Sequence, residues 1–452
     1  GILECAAANA AQTKLRATRG AQLRLKTYVR RKPPNMVQQI PELNEPLPLF
    51  DGSCSIPDLE LINVNLEVRY HPASGLIRGS ITTSDESIFS KLKSNWSQKI
   101  KIPNLSAQLH AFFLLGHAEG IDGRFSIPVL IPGNHLIDPG RLNHSATSYL
   151  YNGFSDIVLP AVHGAQFDSW IIDIVPLTDY ADRRQKFQQV GGTSISHEIR
   201  IKRGDSKEFH IQDTQELLEL LEAFLTFLFC RRVSANIVTG RDAQDAPAQA
   251  LWATGHPNTS AHARSWAPPL SSDTASNLLV QFSDAWSANT ELLRRLVKWH
   301  SDCVPIGASK ENCLILGQAA LESAFHHIFV TEKGIFNKGE SAEKLPASDR
   351  IRLLLDHLRV DFRIPSSCRA FDSAAKAMNW ADVPHALTDI RNKIVHPRKF
   401  DSLTTVPERA FAEVIELVLE YLELSILRCL GYKGFYRNRS QMKPTETEVP
   451  WK

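Results

Sequence analysis

Cysteine pairs, long apolar runs and phosphate-cradling glycine loops are all missing from this 452-residue chain, and each absence removes a class of protein. The seven cysteines, Cys5, Cys54, Cys230, Cys303, Cys313, Cys368 and Cys429, are odd in number, scattered, and never spaced C-x-x-C. Disulfide frameworks and zinc knuckles need paired cysteines, so neither is expected, and the setting reads as reducing and cytoplasmic. No run of about 18 uncharged apolar residues occurs, which argues against a membrane span. The most apolar stretch, Leu217 to Cys230, is broken by Glu219 and Glu222. There is no G-x4-G-K-S/T loop, no G-x-G-x-x-G turn, no H-E-x-x-H and no G-x-S-x-G elbow. His300, His326, His327, His357 and His385 come without H-x3-H spacing or companion cysteines, so they read as core or surface histidines. No metal and no cofactor is expected. A Ser/His/Asp triad drawn from distant residues would leave no such local trace.

Acid is also missing locally. From Cys5 to Pro41 there is none, against eight basic residues: Lys14, Arg16, Arg19, Arg24, Lys26, Arg30, Arg31 and Lys32. An opening of this kind is compatible with an organellar transit peptide, a nucleic-acid-binding arm or a mobile tail. Residues 1–45 are therefore set apart as a basic arm.

What is present is ordinary globular material. Hydrophobic residues make up 43% and charged residues 22%, with a net charge of +2. The length exceeds one hydrophobic core, so two or three domains are expected. Residues 46–272 read as β-rich. Leu59 to Tyr70 alternates apolar and polar, His71 to Gly75 turns, and Leu76 to Ile81 returns. Ser126–Ile131, Trp170–Val175 and Ser196–Ile201 follow as further strands, and Val190-Gly191-Gly192-Thr193 as a hairpin loop. The spacing suits an antiparallel sandwich or barrel. A helix over about 215–230 carries Leu217, Leu218, Leu221, Leu225 and Leu228 at three- and four-residue steps. Gly240 to Ser272 is turn-prone and reads as a linker or an irregular excursion. Beyond Asp273, helical patterns cover about 275–300, 310–330, 348–358, 368–378, 383–395 and 407–430, an all-α bundle over 273–440 with a tail at 441–452. The fold class expected is α+β.

Within the bundle, Asp389-Ile390-Arg391-Asn392-Lys393-Ile394-Val395-His396-Pro397 draws attention. Positions i and i+5 lie about 140° apart in a helix, so Arg391 and His396 would not share a face. Pro397 disfavours the α conformation at His396, however, so the helix is expected to end there. A histidine at a helix end can turn back toward the arginine. Arginine holds phosphate by two hydrogen bonds, and histidine moves protons near neutrality. RNA carries its own nucleophile, the 2′-hydroxyl, so its cleavage needs only positioning, proton transfer and charge stabilisation. Spacing alone equally describes an ion pair and a C-capping histidine.

Arg391-Asn392-Lys393-Ile394-Val395-His396 resembles the R-x4-6-H motif of HEPN ribonucleases, and its setting is similar to the Apea-like HEPN family of prokaryotic antiphage defence. The helix Ala320 to Phe325, the segment Ile351 to Pro365, the motif helix with a long helix after it, and the closing Leu430 to Arg437 carry the likeness. It covers about residues 275–440, and more weakly Leu217 to Asp242. The resemblance implies a metal-independent endoribonuclease acting in abortive infection, with tRNA among its candidate substrates. It implies a homodimer whose two motif helices meet in a composite site, with Arg391 on the scissile phosphate, His396 on the 2′-hydroxyl and Asn392 in support. Glu322 matches an acidic position that orients the motif arginine; it is equally placed to pair with His326 one turn on.

Lys393, Arg398, Lys399, Lys433, Arg437 and Arg439 are the candidate RNA-binding cations. The last three lie in an acid-free stretch, Arg428 to Lys443, interleaved with Tyr432, Phe435 and Tyr436, a mixture suited to single-stranded RNA or to a tail covering the bundle end. The β-rich region is the expected regulator, responding to a phage-derived or small-molecule trigger. The competing expectation is a non-catalytic module for RNA binding or dimerisation.

Overall fold

The computed structural model describes residues 40–451 apart from 93–95, 103–106, 115–117, 122–123, 138–140, 152–157, 256–263, 305–308, 338–339, 397–405 and 441–444. The cations Lys14 to Lys32 of the expected arm, together with Arg398, Lys399 and Lys443, lie outside the described residues.

The chain is α+β, with β structure first and helices after it. Strands β1 (Leu47–Ile56), β2 (Leu61–His71) and β3 (Leu76–Thr83) form an antiparallel meander. A short helix α1 (Ser87–Leu92) leads to β4 (Ser97–Ile102), β5 (Ala107–Phe113), β6 (Glu119–Ile121) and β7 (Arg124–Ile131). The strand order is β3-β2-β1-β4-β5-β7, and β3 also pairs with β7 from Ile77↔Ile131 to Thr83↔Phe125. That pairing closes a six-stranded barrel, with β6 added on β7. Closure removes the unpaired edges an open sheet would leave. Alternation sends Leu66, Val68 and Tyr70 of β2, Ile77 and Ile81 of β3, and Ile127, Val129 and Ile131 of β7 inward to one core. Gly79 sits where a Cβ would strike the Glu67 carbonyl of the neighbouring strand.

A second sheet follows, built from β8 (Asn134–Ile137), β9 (Ser145–Tyr151), β10 (Val162–Phe167), β11 (Trp170–Pro176), β12 (Ile195–Arg203), β13 (Ile237–Arg241) and β14 (Pro247–Ala253). Its order is β10-β11-β12-β9-β13-β14-β8. Two expectations are corrected here. The stretch after Gly240 is not a linker: β14 is an inner strand whose Ala248, Ala250 and Trp252 are buried. Buried Gln249 disguised it: its side-chain oxygen is engaged internally, accepting from Asn143 Nδ2 at 2.6 Å and from the Ile211 N–H at 2.8 Å. Nor is Val190 to Thr193 a hairpin loop. Helix α2 (Tyr180–Val190), unforeseen in the sequence, ends where the Gly191 N–H meets the Phe187 carbonyl, and the chain then enters β12. Its inward face includes Arg183, which donates to the Pro41 carbonyl at 2.7 Å and to Asp179 at 2.8 Å. A buried arginine at a core position hid the amphipathic pattern.

Helix α3 (Gln215–Phe229) crosses between β12 and β13. The helical region comprises α4 (Ser272–Cys303), α5 (Lys310–His326) running into a π-helical turn (His327–Glu332), α6 (Glu340–Glu343), α7 (Ala347–His357), α8 (Arg369–Met378), α9 (Val383–Val395) and α10 (Glu408–Cys429). The Ser271 and Ser309 side chains cap α4 and α5 by accepting the Thr274 and Asn312 N–H groups. Asn289 leaves helical dihedrals (φ −148°, ψ 49°) and kinks α4. Gly317 on α5 lies where any Cβ would run into Val418 of α10, so these two helices approach closely. After α10, Gly431 adopts φ 65° and turns the chain into a hairpin of β15 (Phe435–Asn438) and β16 (Thr445–Glu448).

The change from sheet to helix near residue 272 is not a break in the core. One hydrophobic cluster runs from Ile172, Ile174 and Ile199 of the second sheet through Leu221 and Phe224 of α3 to Leu278, Leu321, Leu387 and Leu422 of the helices. The segment Lys310–Glu332 is long and apolar enough to cross a membrane by length and composition, but most of its apolar stretch is buried inside the protein.

Candidate active site

Helix α9 is fixed before its reactive end is considered. The Asp382 carboxylate accepts the His385 N–H at 2.9 Å, capping the first turn, and grips Arg352 of α7 with bonds of 2.7 and 3.0 Å. Val383, Ala386, Leu387 and Ile390 recur at helical spacing, are fully buried, and pack α9 against α5, α7 and α10. This apolar stripe leaves the last turn at the edge of the packing. There α9 stops at Val395, and His396 takes extended dihedrals (φ −111°, ψ 104°) with its N–H on the Asn392 carbonyl at 3.1 Å. Pro397 dictates that change of direction. The His396 side chain is exposed, while Arg391 and Asn392 are partly buried.

Among the described residues Arg391 has no carboxylate partner; its Nη1 donates to the Asn392 side-chain oxygen at 3.2 Å. The ion pair that spacing alone allowed is therefore not formed with any described residue. Asn392 instead steadies the arginine beside it, and guanidinium N–H groups are left for a ligand.

Glu322 is elsewhere engaged. Its carboxylate accepts Arg350 Nη1 at 2.6 Å and Gln318 Nε2 at 2.8 Å. It orients neither Arg391 nor His326. The expectation missed Arg350, twenty-eight residues away on α7 and packed against α5.

Two of the candidate RNA cations are also corrected. Lys393 is buried, pairs with Asp389 at 2.7 Å, and sits 5.8 Å from the centre of the Trp380 ring. Burial opposes ionisation of Asp389, but Lys393 and the Trp380 indole N–H outweigh it and hold that carboxyl below its ordinary range. Arg439 is the deeper correction. It is buried and donates to both Glu423 oxygens (2.8 and 2.7 Å), to Glu416 at 3.0 Å and to the Arg264 carbonyl at 2.7 Å. Of the aromatics beside it, Tyr432 and Tyr436 are buried, and only Phe435 is exposed. Lys433 is exposed; Arg437 is partly buried, its backbone N–H on the Trp266 carbonyl at 2.7 Å.

Around Arg439 lies a cluster that sequence spacing did not reveal. Cys230 Sγ, His300 Nε2 and Glu423 Oε1 are 2.9 to 3.9 Å apart and fully buried. Separations of 70 and 123 residues along the chain leave no local motif. Three such donors suit a small cation, but the Arg439 guanidinium already faces Glu423 and lies 3.8 Å from the sulfur. Burial would raise the Glu423 carboxyl; Arg439 and His300 outweigh it and hold it below the ordinary range. The cation of this cluster is therefore an arginine, and the cluster is a polar strut joining α3, α4, α10 and the segment after β15.

Fold and site together define an α+β protein whose helical region presents an arginine and a histidine at one helix end. Residues 156–262 match the model of the YopA central domain, and residues 287–449 match that of the YopA C-terminal domain. The chain is 24% identical to the SPbeta prophage-derived uncharacterized protein YopA of Bacillus subtilis (strain 168), over 91% of this chain and 96% of that protein. No solved structure matches.

Proposed function

We propose that the protein is a metal-independent endoribonuclease of the HEPN type, acting in the cytoplasm in conflicts between phage and host. The observation that carries this reading is the end of α9, where exposed His396 follows Arg391 at R-x4-H spacing and Arg391 lacks a described carboxylate partner. Arg391 binds the scissile phosphate and offsets charge as the pentacoordinate phosphorus forms. His396 takes the proton of the 2′-hydroxyl as that oxygen attacks. The 5′-oxygen leaves with a proton, giving a 2′,3′-cyclic phosphate and a 5′-hydroxyl end. One histidine serves one proton transfer, so a second copy of the chain supplies the other, and the working site is shared by two motif helices. The prophage origin of the Bacillus relative suits this setting.

A non-catalytic binding or dimerisation module is the second reading. The burial of Lys393 and Arg439 favours it, because it thins the cationic surface that RNA would meet. Purified protein incubated with total RNA in EDTA separates the two. Cleavage leaving cyclic-phosphate ends, lost in Arg391→Ala and His396→Ala, supports the nuclease. Cleavage surviving both substitutions overturns the assignment, and RNA binding without cleavage establishes the module. Light scattering adds an independent check, since a strict monomer cannot assemble the shared site.

A further inference from the structure

The outer wall of the barrel carries an open aromatic pair that its core does not use. Trp96 stands just before β4, and its carbonyl accepts the Phe113 N–H at 2.9 Å, which ties its backbone to β5. Its ring lies on Phe112, with centroids 4.7 Å apart and planes 31° from parallel, yet 60% of the tryptophan remains exposed. Leu114, two residues past Phe112 and therefore on the same side, is exposed as well, and Leu130 of β7 is the cross-strand neighbour of Phe112. With Phe112 behind it, an indole this open offers its other face to solvent. Apolar surface of that kind is costly to leave in water and marks a place for a partner.

The charge around this pair is of one sign. Strands β4, β5, β7 and β3 are neighbours in the wall, and together they contain Arg78, Lys99, Lys101 and Arg124 but no acidic residue. All four cations are exposed, and none has an ion pair among the described residues. Alternation turns Lys99 and Lys101 outward, opposite His110 and Gln108 of β5, on the strand that Trp96 leads into. On the other side of β4, the neighbour of Lys101 is Ser55 of β1. The acids of the barrel strands lie elsewhere: Asp51 on β1, Glu67 on β2, where Arg69 already donates to it at 2.6 Å, and Glu119 on β6.

We infer that this wall of the barrel binds single-stranded RNA, with a base stacked on Trp96 and the backbone phosphates following Lys99 and Lys101. An unpaired strand presents both things the wall can take, an open base face and a run of negative charge. Outward residues of one strand repeat every 6.7 Å or so, about the step of phosphates along an extended chain. A duplex hides its base faces and leaves the indole unused. A protein partner would cover the aromatic pair but has no need of four acid-free strands beside it, so charge complementarity favours the polyanion. The surface is defined by the barrel alone; the choice of RNA over DNA rests on the nuclease reading. RNA tethered here has a raised effective concentration at the α9 site of the same molecule.

The test uses the full chain with His396→Ala, so that RNA is not consumed, and a fluorescein-labelled oligouridylate followed by anisotropy in EDTA. Saturable binding that weakens as salt rises is expected. Trp96→Ala lowers affinity by about tenfold, the loss of one stacked base, with an unchanged melting temperature, and Trp96→Phe keeps most of the affinity. Replacing Lys99 and Lys101 together by Ala lowers affinity by about tenfold and cuts the log–log salt slope by about 1.4, and replacing both by Arg restores the two values. No saturable binding, tighter binding of the matching oligothymidylate, or affinity indifferent to both sets of substitutions overturns the inference. So does a Trp96→Ala variant that changes oligomeric mass in light scattering but not RNA affinity, which makes the wall a contact between copies of the chain. The two readings fail separately. Cleavage by the chain with His396 intact that is unaffected by Trp96→Ala at sub-saturating RNA sinks the docking wall, whereas RNA binding lost in Trp96→Ala without any cleavage sinks the nuclease and keeps the wall.

Discussion

Two places in the helical region combine arginine and histidine, and they have opposite characters. At the end of α9, Arg391 and His396 stand at the margin of the packing, with Asn392 as the described partner of the guanidinium. Beneath α10, buried Arg439 and His300 converge on fully buried Glu423, Arg439 donating to both of its oxygens and His300 lying 2.9 Å from one. The same residue types therefore serve different ends according to whether their charge is already answered. A buried arginine held by two carboxylates has nothing left for a phosphate. A guanidinium without a carboxylate at a helix end does.

The sharpest way to break this comparison is by activity. Arg391→Ala and His396→Ala are expected to lower RNA cleavage by about 10²- to 10⁴-fold, the range for a lost proton-transfer group, while the denaturation midpoint stays where it was. Glu423→Ala should do the reverse. It leaves Arg439 buried without its main counter-charge, at a cost of about 3–5 kcal/mol in unfolding free energy by denaturant titration. A stability loss below about 1 kcal/mol would mean that water reaches the cluster and the contrast between the two sites is shallow.

The pH dependence of stability refines the picture within α10 itself. Burial pushes the Glu420 carboxyl from 4.5 up to about 7, whereas Glu423, one turn later, is held below its ordinary range. For Glu420 the folded state binds the proton more tightly than the unfolded chain does. Its contribution is complete below pH 4.5 and is lost as the pH rises to 7, by up to about 3 kcal/mol. For Glu423 the sign is opposite: its contribution is present above its unfolded pKa and disappears as the pH falls through the folded one. Denaturant titrations from pH 4.5 to 7 should show Glu420→Gln flattening the slope, and an unchanged slope would refute the assignment. The smallest effect is expected for Lys393→Met, which keeps the aliphatic stem over Trp380 and loses one partly buried ion pair. About 1 kcal/mol of stability and no change in RNA affinity are expected. A clear loss of RNA affinity would return Lys393 to the binding surface.

Much of the helical region was legible. The apolar patterns over about 310–330 and 383–395 placed α5 and α9 close to their observed ends, and Pro397 marked the end of α9 by local chemistry. Three strands of the barrel, β2, β3 and β7, were legible from their apolar patterns, but β1, β4 and β5 were not, nor was the closure, which depends on β3 meeting β7 across about fifty residues. What stayed hidden was polar and long-range. Gln249 obscured an inner strand because its partners come from Asn143 and Ile211, and Arg183 obscured α2 because its partner is the Pro41 carbonyl. Arg439 read as a surface cation because Glu423 and Cys230, sixteen and 209 residues away, are invisible to any local window. Similarly, the composition around Arg391 signalled a helix end, while the engagement of Glu322 with Arg350 required the packing of α5 on α7.

The second sheet has a consequence for which changes of length the chain tolerates. Its neighbouring residues serve different interiors: Leu150 and Val238 belong to the core shared with the helices, Tyr151 and Ile237 to the core of the barrel. A one-residue slip in β9 or β13 would exchange those faces and spoil both interiors together. Insertions and deletions should therefore be purged from these two strands more severely than from strands with one solvent face. A deletion scan read out by soluble expression would map them as a narrow intolerant band in the middle of the chain.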